Sequence, residues 1–111
     1  MKAIGTQELK KMLDHEERLT LVNTLAEEHF AQTQIPGSIN IPQDSDDFVQ
    51  RVEQAAGGRD RPVVVYCASA QCDSSTQGAQ KLEAAGFSEV YDYEGGAKAW
   101  EEAGQTKQAT A

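Results

Sequence analysis

The run Pro62-Val63-Val64-Val65-Tyr66-Cys67 constrains this chain more than any other stretch. Four consecutive apolar residues, three of them β-branched, make the pattern of a central parallel strand covered on both faces. Proline is tolerated at the first position of such a strand. The strand leads into Cys67, then a small, polar loop of Ala68, Ser69, Ala70, Gln71, Cys72, Asp73 and Ser74, then a helix-forming stretch. A thiol at the turn from strand to helix meets backbone N–H groups that favour an anion. That setting predicts a Cys67 pKa below the ordinary thiol value, and a better nucleophile.

The rest of the chain reads as a scaffold for this loop. Thr6 is placed to cap a helix over Gln7–Leu13, with Leu9, Met12 and Leu13 at helical spacing, and Asp14–Arg18 is a loop or helix end. Leu19–Asn23 reads as a strand, Ala26–Ala31 as a short helix, Ile35-Pro36-Gly37-Ser38 as a turn and Ser38–Ile41 as a strand stopped by Pro42. Asp44–Asp47 supplies acidic groups and a cap for a helix over about Ser45–Ala55, which Gly57-Gly58 breaks. After the loop, Ser74 or Ser75 caps a helix reaching about Ala85, its buried stripe formed by Ala79, Leu82 and Ala85. Gly86 is its left-handed cap, with Phe87 as the hydrophobic contact. Glu89–Tyr93 is the last strand, Gly95-Gly96 a tight turn, and Ala97–Ala103 a helix that buries Trp100. Strands alternating with helices imply an α/β fold with a mostly parallel sheet and its working site at the carboxyl ends of the strands.

The 111 residues form one domain, placed at residues 1–104, with 105–111 a polar tail expected to be mobile. With 18 acidic against 10 basic residues, the net charge of −8 argues against nucleic acid or an anionic membrane as partner. No apolar run approaches the length of a membrane span, and Met1–Gly5 does not open a signal peptide. Two cysteines are too few for a disulfide scaffold, so a reducing, cytoplasmic setting is expected.

The chain resembles a single-domain rhodanese. The resemblance rests on Ile35-Pro36-Gly37-Ser38-Ile39-Asn40-Ile41-Pro42, Val64-Val65-Tyr66-Cys67, Ala79 with Leu82, Gly86-Phe87, Val90, and Gly95-Gly96 with Ala99-Trp100, in the right order and spacing. It implies a rhodanese-like fold, a five-stranded sheet with helices on both faces. It also implies sulfur transfer. The cysteine heading the loop takes a sulfane sulfur from a small donor such as thiosulfate or a persulfide. It holds that sulfur as its own persulfide and passes it to a thiol or cyanide-type acceptor, with no metal and no cofactor. Cys67 occupies the position of that catalytic cysteine, and the residues from Ala68 to Ser74 that of the anion-binding loop.

Three departures from the family pattern shape the expectation. Seven residues separate Cys67 from Ser75, one more than is usual before the helix-capping serine. Phosphatase relatives also have a lengthened loop, but they grip phosphate with a loop arginine, and this loop has none. The usual Asp-x-Arg after the first long strand is Asn23-Thr24-Leu25, and the usual Gly-His before the turn is Thr33-Gln34, so neutral groups replace charges. Asn23 and Gln34 are expected to supply local hydrogen bonds. The loop's one charge is Asp73, which disfavours anionic donors and favours a neutral or protein-borne sulfur source.

Beside the catalytic reading of Cys67 stands a non-catalytic domain used for binding or thiol-redox sensing. Cys72 has three readings: a resolving thiol for Cys67, a second sulfur acceptor, or a small apolar filler under the loop. Zinc is disfavoured, because Cys67 and Cys72 have only His15 and His29 as further partners. Asp73 is accounted for by helix capping.

Overall fold

The computed structural model describes residues 1–15 and 19–104. The segment Glu16–Arg18 and the tail from residue 105 onward lie outside the described residues, as does the expectation of a mobile tail. In chain order the elements are β1 (Lys2–Ile4), α1 (Thr6–His15), β2 (Thr20–Asn23), α2 (Glu27–Phe30) and β3 (Ile39–Asn40). Then come α3 (Phe48–Ala56), β4 (Val63–Tyr66), α4 (Ser74–Ala84), β5 (Val90–Tyr93) and α5 (Gly96–Glu102). The five strands form one sheet in the order β1-β5-β4-β2-β3, and every pairing is parallel.

The two-residue period of a strand explains the layers. All four residues of β4 are fully buried. Val63 and Val65 point to one face, where they join Val22, Val90, Phe48 and Val52 of α3, and Ala79 and Leu82 of α4. Val64 and Tyr66 point to the other, with Ile4, Leu9 of α1, Leu21, Tyr93 and Trp100 of α5. Helices therefore cover both faces, and a strand with no polar residue is the only kind that suits the centre. Each such side chain contributes about 1.5–3 kcal/mol by leaving water.

Two local expectations need correction, and one strand has no signal in the sequence. The fifth strand, β1, is too short for a period to show in sequence, and it pairs Lys2, Ala3 and Ile4 with Tyr91, Asp92 and Tyr93. Thr6 does not cap α1: it is the first helical residue, with its hydroxyl 2.6 Å from the Tyr93 hydroxyl, while Glu8 accepts from the Gly5 amide. α3 starts at Phe48, with Asp47 at the cap position but making no side-chain capping bond.

The glycine signals at the ends of α3 and α4 stand. Gly57 ends α3 at φ +87°. Gly86 follows α4 at φ +96°, the Phe87 amide bonds back to the Leu82 carbonyl, and Phe87 packs in the core beside Leu82. Ala85 packs only partly buried against that cluster. No helix among the described residues is long and apolar enough to cross a membrane.

Candidate active site

Cys67 leaves the carboxyl end of β4 and stands 1% exposed beneath the loop it begins. The loop closes on itself through a turn in which the Cys72 amide donates to the Ser69 carbonyl at 3.1 Å. Around this turn Ala68, Ser69 and Cys72 are half-buried, whereas Ala70, Gln71 and Asp73 face solvent. The Ser69 hydroxyl donates to Gln71 Oε1 at 3.2 Å, a bond between two loop side chains.

The serine next to the thiol is Ser75. Cys67 Sγ lies 3.7 Å from Ser75 Oγ and 3.3 Å from the Cys72 carbonyl oxygen. Ser75 in turn donates to Asp92 Oδ1 at 2.6 Å, and Thr76 donates to Asp92 Oδ2 at 2.7 Å. Ser74, expected to face the loop, instead turns its hydroxyl to Thr24, donating to the Thr24 carbonyl at 3.2 Å. Neither serine caps α4. Asp73 holds the cap position without a side-chain capping bond, so no side chain covers the N-terminal amides of α4. Those amides lie at the end of α4 that follows the loop, and the Ser75 amide favours ionisation of Cys67.

The thiol is not activated as the sequence suggests. Burial pushes the Cys67 thiol above its ordinary value, and hydrogen bonding with Cys72 adds to that, while the Ser75 amide pulls the other way. Removing a thiolate from water outweighs what the helix terminus returns.

The loop is fixed from the side by α5. The Ala97 amide donates to the Cys67 carbonyl and the Lys98 amide to the Ala68 carbonyl, both at 2.9 Å. Gly96 is the first residue of α5 rather than part of a free turn, and its φ is +64°. A Cβ there would sit 2.4 Å from the Cys67 carbonyl oxygen, so only glycine lets the backbone of α5 approach the loop this closely.

Asn23, at the carboxyl end of β2, is fully buried. Its Nδ2 donates to Thr33 Oγ1 at 2.9 Å and its Oδ1 accepts from the Leu25 amide at 3.0 Å, the local role expected of it. Gln34 is exposed and takes no part in that network. Sequence reasoning missed Asp92. The available signal was its position two residues after Val90 in a strand, which aims an acidic side chain into the α4 face of the core.

Comparison with known proteins agrees with this architecture. The Rhodanese-like domain family model matches residues 5–103. No curated protein sequence matches the chain. Among solved structures, a thiosulfate sulfurtransferase from Pseudomonas aeruginosa is 26% identical with a TM-score of 0.82, covering 95% of this chain and 19% of that one. A rhodanese-like domain protein from Staphylococcus aureus is 28% identical with a TM-score of 0.72, covering 90% of this chain and 91% of its own. The BH2092 protein of Bacillus halodurans shares the fold at 22% identity and a TM-score of 0.77, covering 93% of this chain and 73% of its own. With the family model spanning nearly every described residue and the parallel five-stranded sheet in common, the chain belongs to the rhodanese-like domain family.

Proposed function

We propose that the protein is a sulfurtransferase that carries a sulfane sulfur as a persulfide on Cys67. The observation that carries this reading is the placement of the thiol: Cys67 Sγ lies against Ser75 at the N-terminus of α4, which no side chain caps. A sulfur added to Sγ moves the negative charge outward, from a buried atom that resists it to one facing backbone donors. Cys67 thiolate would displace the leaving group at the donor sulfur. An acceptor thiol or cyanide would then take the outer sulfur and regenerate the Cys67 thiolate. With Asp73 exposed and neither Arg nor Lys between Ala68 and Ser74, a neutral persulfide or a protein-borne donor suits the loop better than thiosulfate. No metal or organic cofactor enters these steps, and a reducing compartment would keep the thiol free.

A second reading is a non-catalytic binding or thiol-sensing domain, favoured by the burial of Cys67 and its raised pKa. Intact mass after exposure to thiosulfate, and separately to a low-molecular-weight persulfide, separates the two. Sulfur transfer requires one added sulfur that cyanide removes and that Cys67→Ser never acquires. Absence of any sulfur gain on the wild-type chain would leave the binding reading in its place.

A further inference from the structure

Cys72 is placed to act on the atom that acceptors from solution reach least. Cys67 Sγ is buried, so in a persulfide it becomes the inner sulfur and the added atom is the one an outside acceptor meets. Residue 72 approaches that inner sulfur from within the loop. The Ser69–Cys72 turn folds the chain back, and the carbonyl oxygen of Cys72 lies 3.3 Å from Cys67 Sγ. The thiol of Cys72 therefore belongs to a residue whose backbone already touches Cys67 Sγ. The two thiols already act on each other: hydrogen bonding with Cys72 and its charge both oppose ionisation of Cys67. Cys72 is also half-buried rather than sealed, which leaves it room to move.

We propose that Cys72 resolves the Cys67 persulfide inside the chain, releasing hydrosulfide and leaving a Cys67–Cys72 disulfide. The step rests on the persulfide reading above. The Cys72 thiolate attacks Cys67 Sγ, a new S–S bond joins the two cysteines, and the bond from Sγ to the outer sulfur breaks. The outer sulfur leaves with the bonding pair as hydrosulfide. Both cysteines end oxidised by one electron each, the sulfane sulfur is reduced by two, and the proton of the Cys72 thiol passes to the leaving outer sulfur, which already carries the persulfide's negative charge. A dithiol, or two molecules of a small thiol, then reduces the disulfide and closes the cycle. The protein would therefore convert sulfane sulfur to hydrosulfide while oxidising thiols, an activity distinct from handing the sulfur to cyanide.

The test uses the full chain, reduced, desalted and kept anaerobic, and mixed with one equivalent of thiosulfate or of cysteine persulfide. Wild type, Cys72→Ser and Cys72→Ala are compared by intact mass under acid and by trapping hydrosulfide with a bimane alkylating agent. The wild type should lose the mass of two hydrogens and release about one hydrosulfide per chain with no added thiol, by the exchange stoichiometry above. Both variants should instead retain one added sulfur until cyanide or dithiothreitol is supplied. A wild type that holds its persulfide as the variants do overturns the proposal. So does a disulfide formed without hydrosulfide, or hydrosulfide released equally by the variants. If no form of the chain takes up sulfur, the persulfide reading itself falls and this step with it, a result distinguishable from the others.

Discussion

Ser75 gives its hydroxyl proton to Asp92 at 2.6 Å, so the side it turns to Cys67, 3.7 Å away, carries lone pairs rather than a donor. An ionised carboxylate only accepts hydrogen bonds, and both Asp92 oxygens are engaged, one by Ser75 and the other by Thr76. Asp92 thus orients the Ser75 hydroxyl that meets the thiol. In the free protein that orientation suits a protonated sulfur. On the persulfide proposed above, the charge would lie one atom further out.

The first prediction concerns this chain of contacts. Asp92→Asn keeps the shape of the side chain but offers Ser75 a weaker, uncharged acceptor. The Ser75 proton is then freer to turn to the thiolate. The pH at which Cys67 becomes reactive to iodoacetamide should move down in this variant. Stability should fall by about 1–3 kcal/mol, because the amide N–H₂ now faces Thr76 in place of an acceptor. Alkylation profiles and urea unfolding together check it. An unmoved or raised midpoint would show that Asp92 has no hold on the thiol.

Stability should also depend on Cys67 at alkaline pH. Burial holds its pKa above the ordinary value of 9.0. Below that value both folded and unfolded chains keep the proton, and the contribution to stability is constant. As pH rises through the interval up to the folded pKa, the unfolded chain releases a proton that the folded chain retains, and stability falls. Tyr66 and Tyr93, both raised above 10.0 chiefly by burial, extend the fall to higher pH. Cys67→Ser should remove the first part of this decline and leave the later part. Unfolding curves for both proteins at several pH values from neutral upward would show it, and parallel declines would count against a buried, protonated thiol.

The legibility of this chain follows from which signals are local. Val63–Tyr66 announces a central strand because four apolar residues in a row have few other homes in a small α/β domain. Gly86-Phe87 announces a helix end because the left-handed cap and its apolar contact are adjacent in sequence. The caps of α1 and α4 mislead because Thr6, Ser74 and Ser75 have long-range partners, Tyr93, Thr24 and Asp92, that outcompete the local amides. The position of Cys67 is legible, but its ionisation is not: the helix dipole can be read from sequence order, whereas the opposing desolvation depends on how deeply the packed loop buries the sulfur. Gly96 reads as a turn because its positive φ is visible in sequence only as a glycine, and the loop pressed against it lies almost thirty residues earlier.

That contact yields the third prediction. Gly96→Ala places a methyl group 2.4 Å from the Cys67 carbonyl oxygen and 2.9 Å from Ala68 C and Ser69 N, all backbone atoms that have no rotamer to escape into. Its φ of +64° adds a conformational cost of about 1–2 kcal/mol for any residue with a Cβ. The variant should be destabilised by at least that much. Relief of the clash would also push the Cys67–Ser69 backbone away from α5, lengthening the bonds from the Ala97 and Lys98 amides. Sulfur loading should fall further than the folded fraction does, measured under conditions where the variant remains folded. Gly37→Ala is the control: it too has a positive φ, +87°, but nothing lies within 4 Å of the added carbon, so it should lose stability without a specific effect on loading.

The fourth prediction runs against the family pattern. Relatives usually carry Asp where this chain has Asn23, so Asn23→Asp restores the common residue, yet the surroundings here require an amide. Asn23 Nδ2 faces two oxygens of Thr33, the carbonyl at 3.3 Å and Oγ1 at 2.9 Å. Thr33 Oγ1 already donates to the His29 carbonyl at 2.8 Å, so it too presents lone pairs. A carboxylate in this buried position would set acceptor against acceptor at Thr33, with the Leu25 amide in its favour. The variant should lose about 1–3 kcal/mol at neutral pH. Its new carboxyl should titrate above the ordinary range, because protonation restores the missing donor and removes a buried charge. A raised folded-state pKa means that stability is retained at pH below the unfolded value and lost as pH rises through the folded one. The deficit relative to wild type should therefore shrink in mild acid and grow toward neutrality. Urea unfolding of both proteins at about pH 5 and about pH 7.5, either side of the range that a raised carboxyl pKa would span, measures it. An Asn23→Asp variant as stable as wild type at both would mean that the Thr33 segment rearranges to accept the charge.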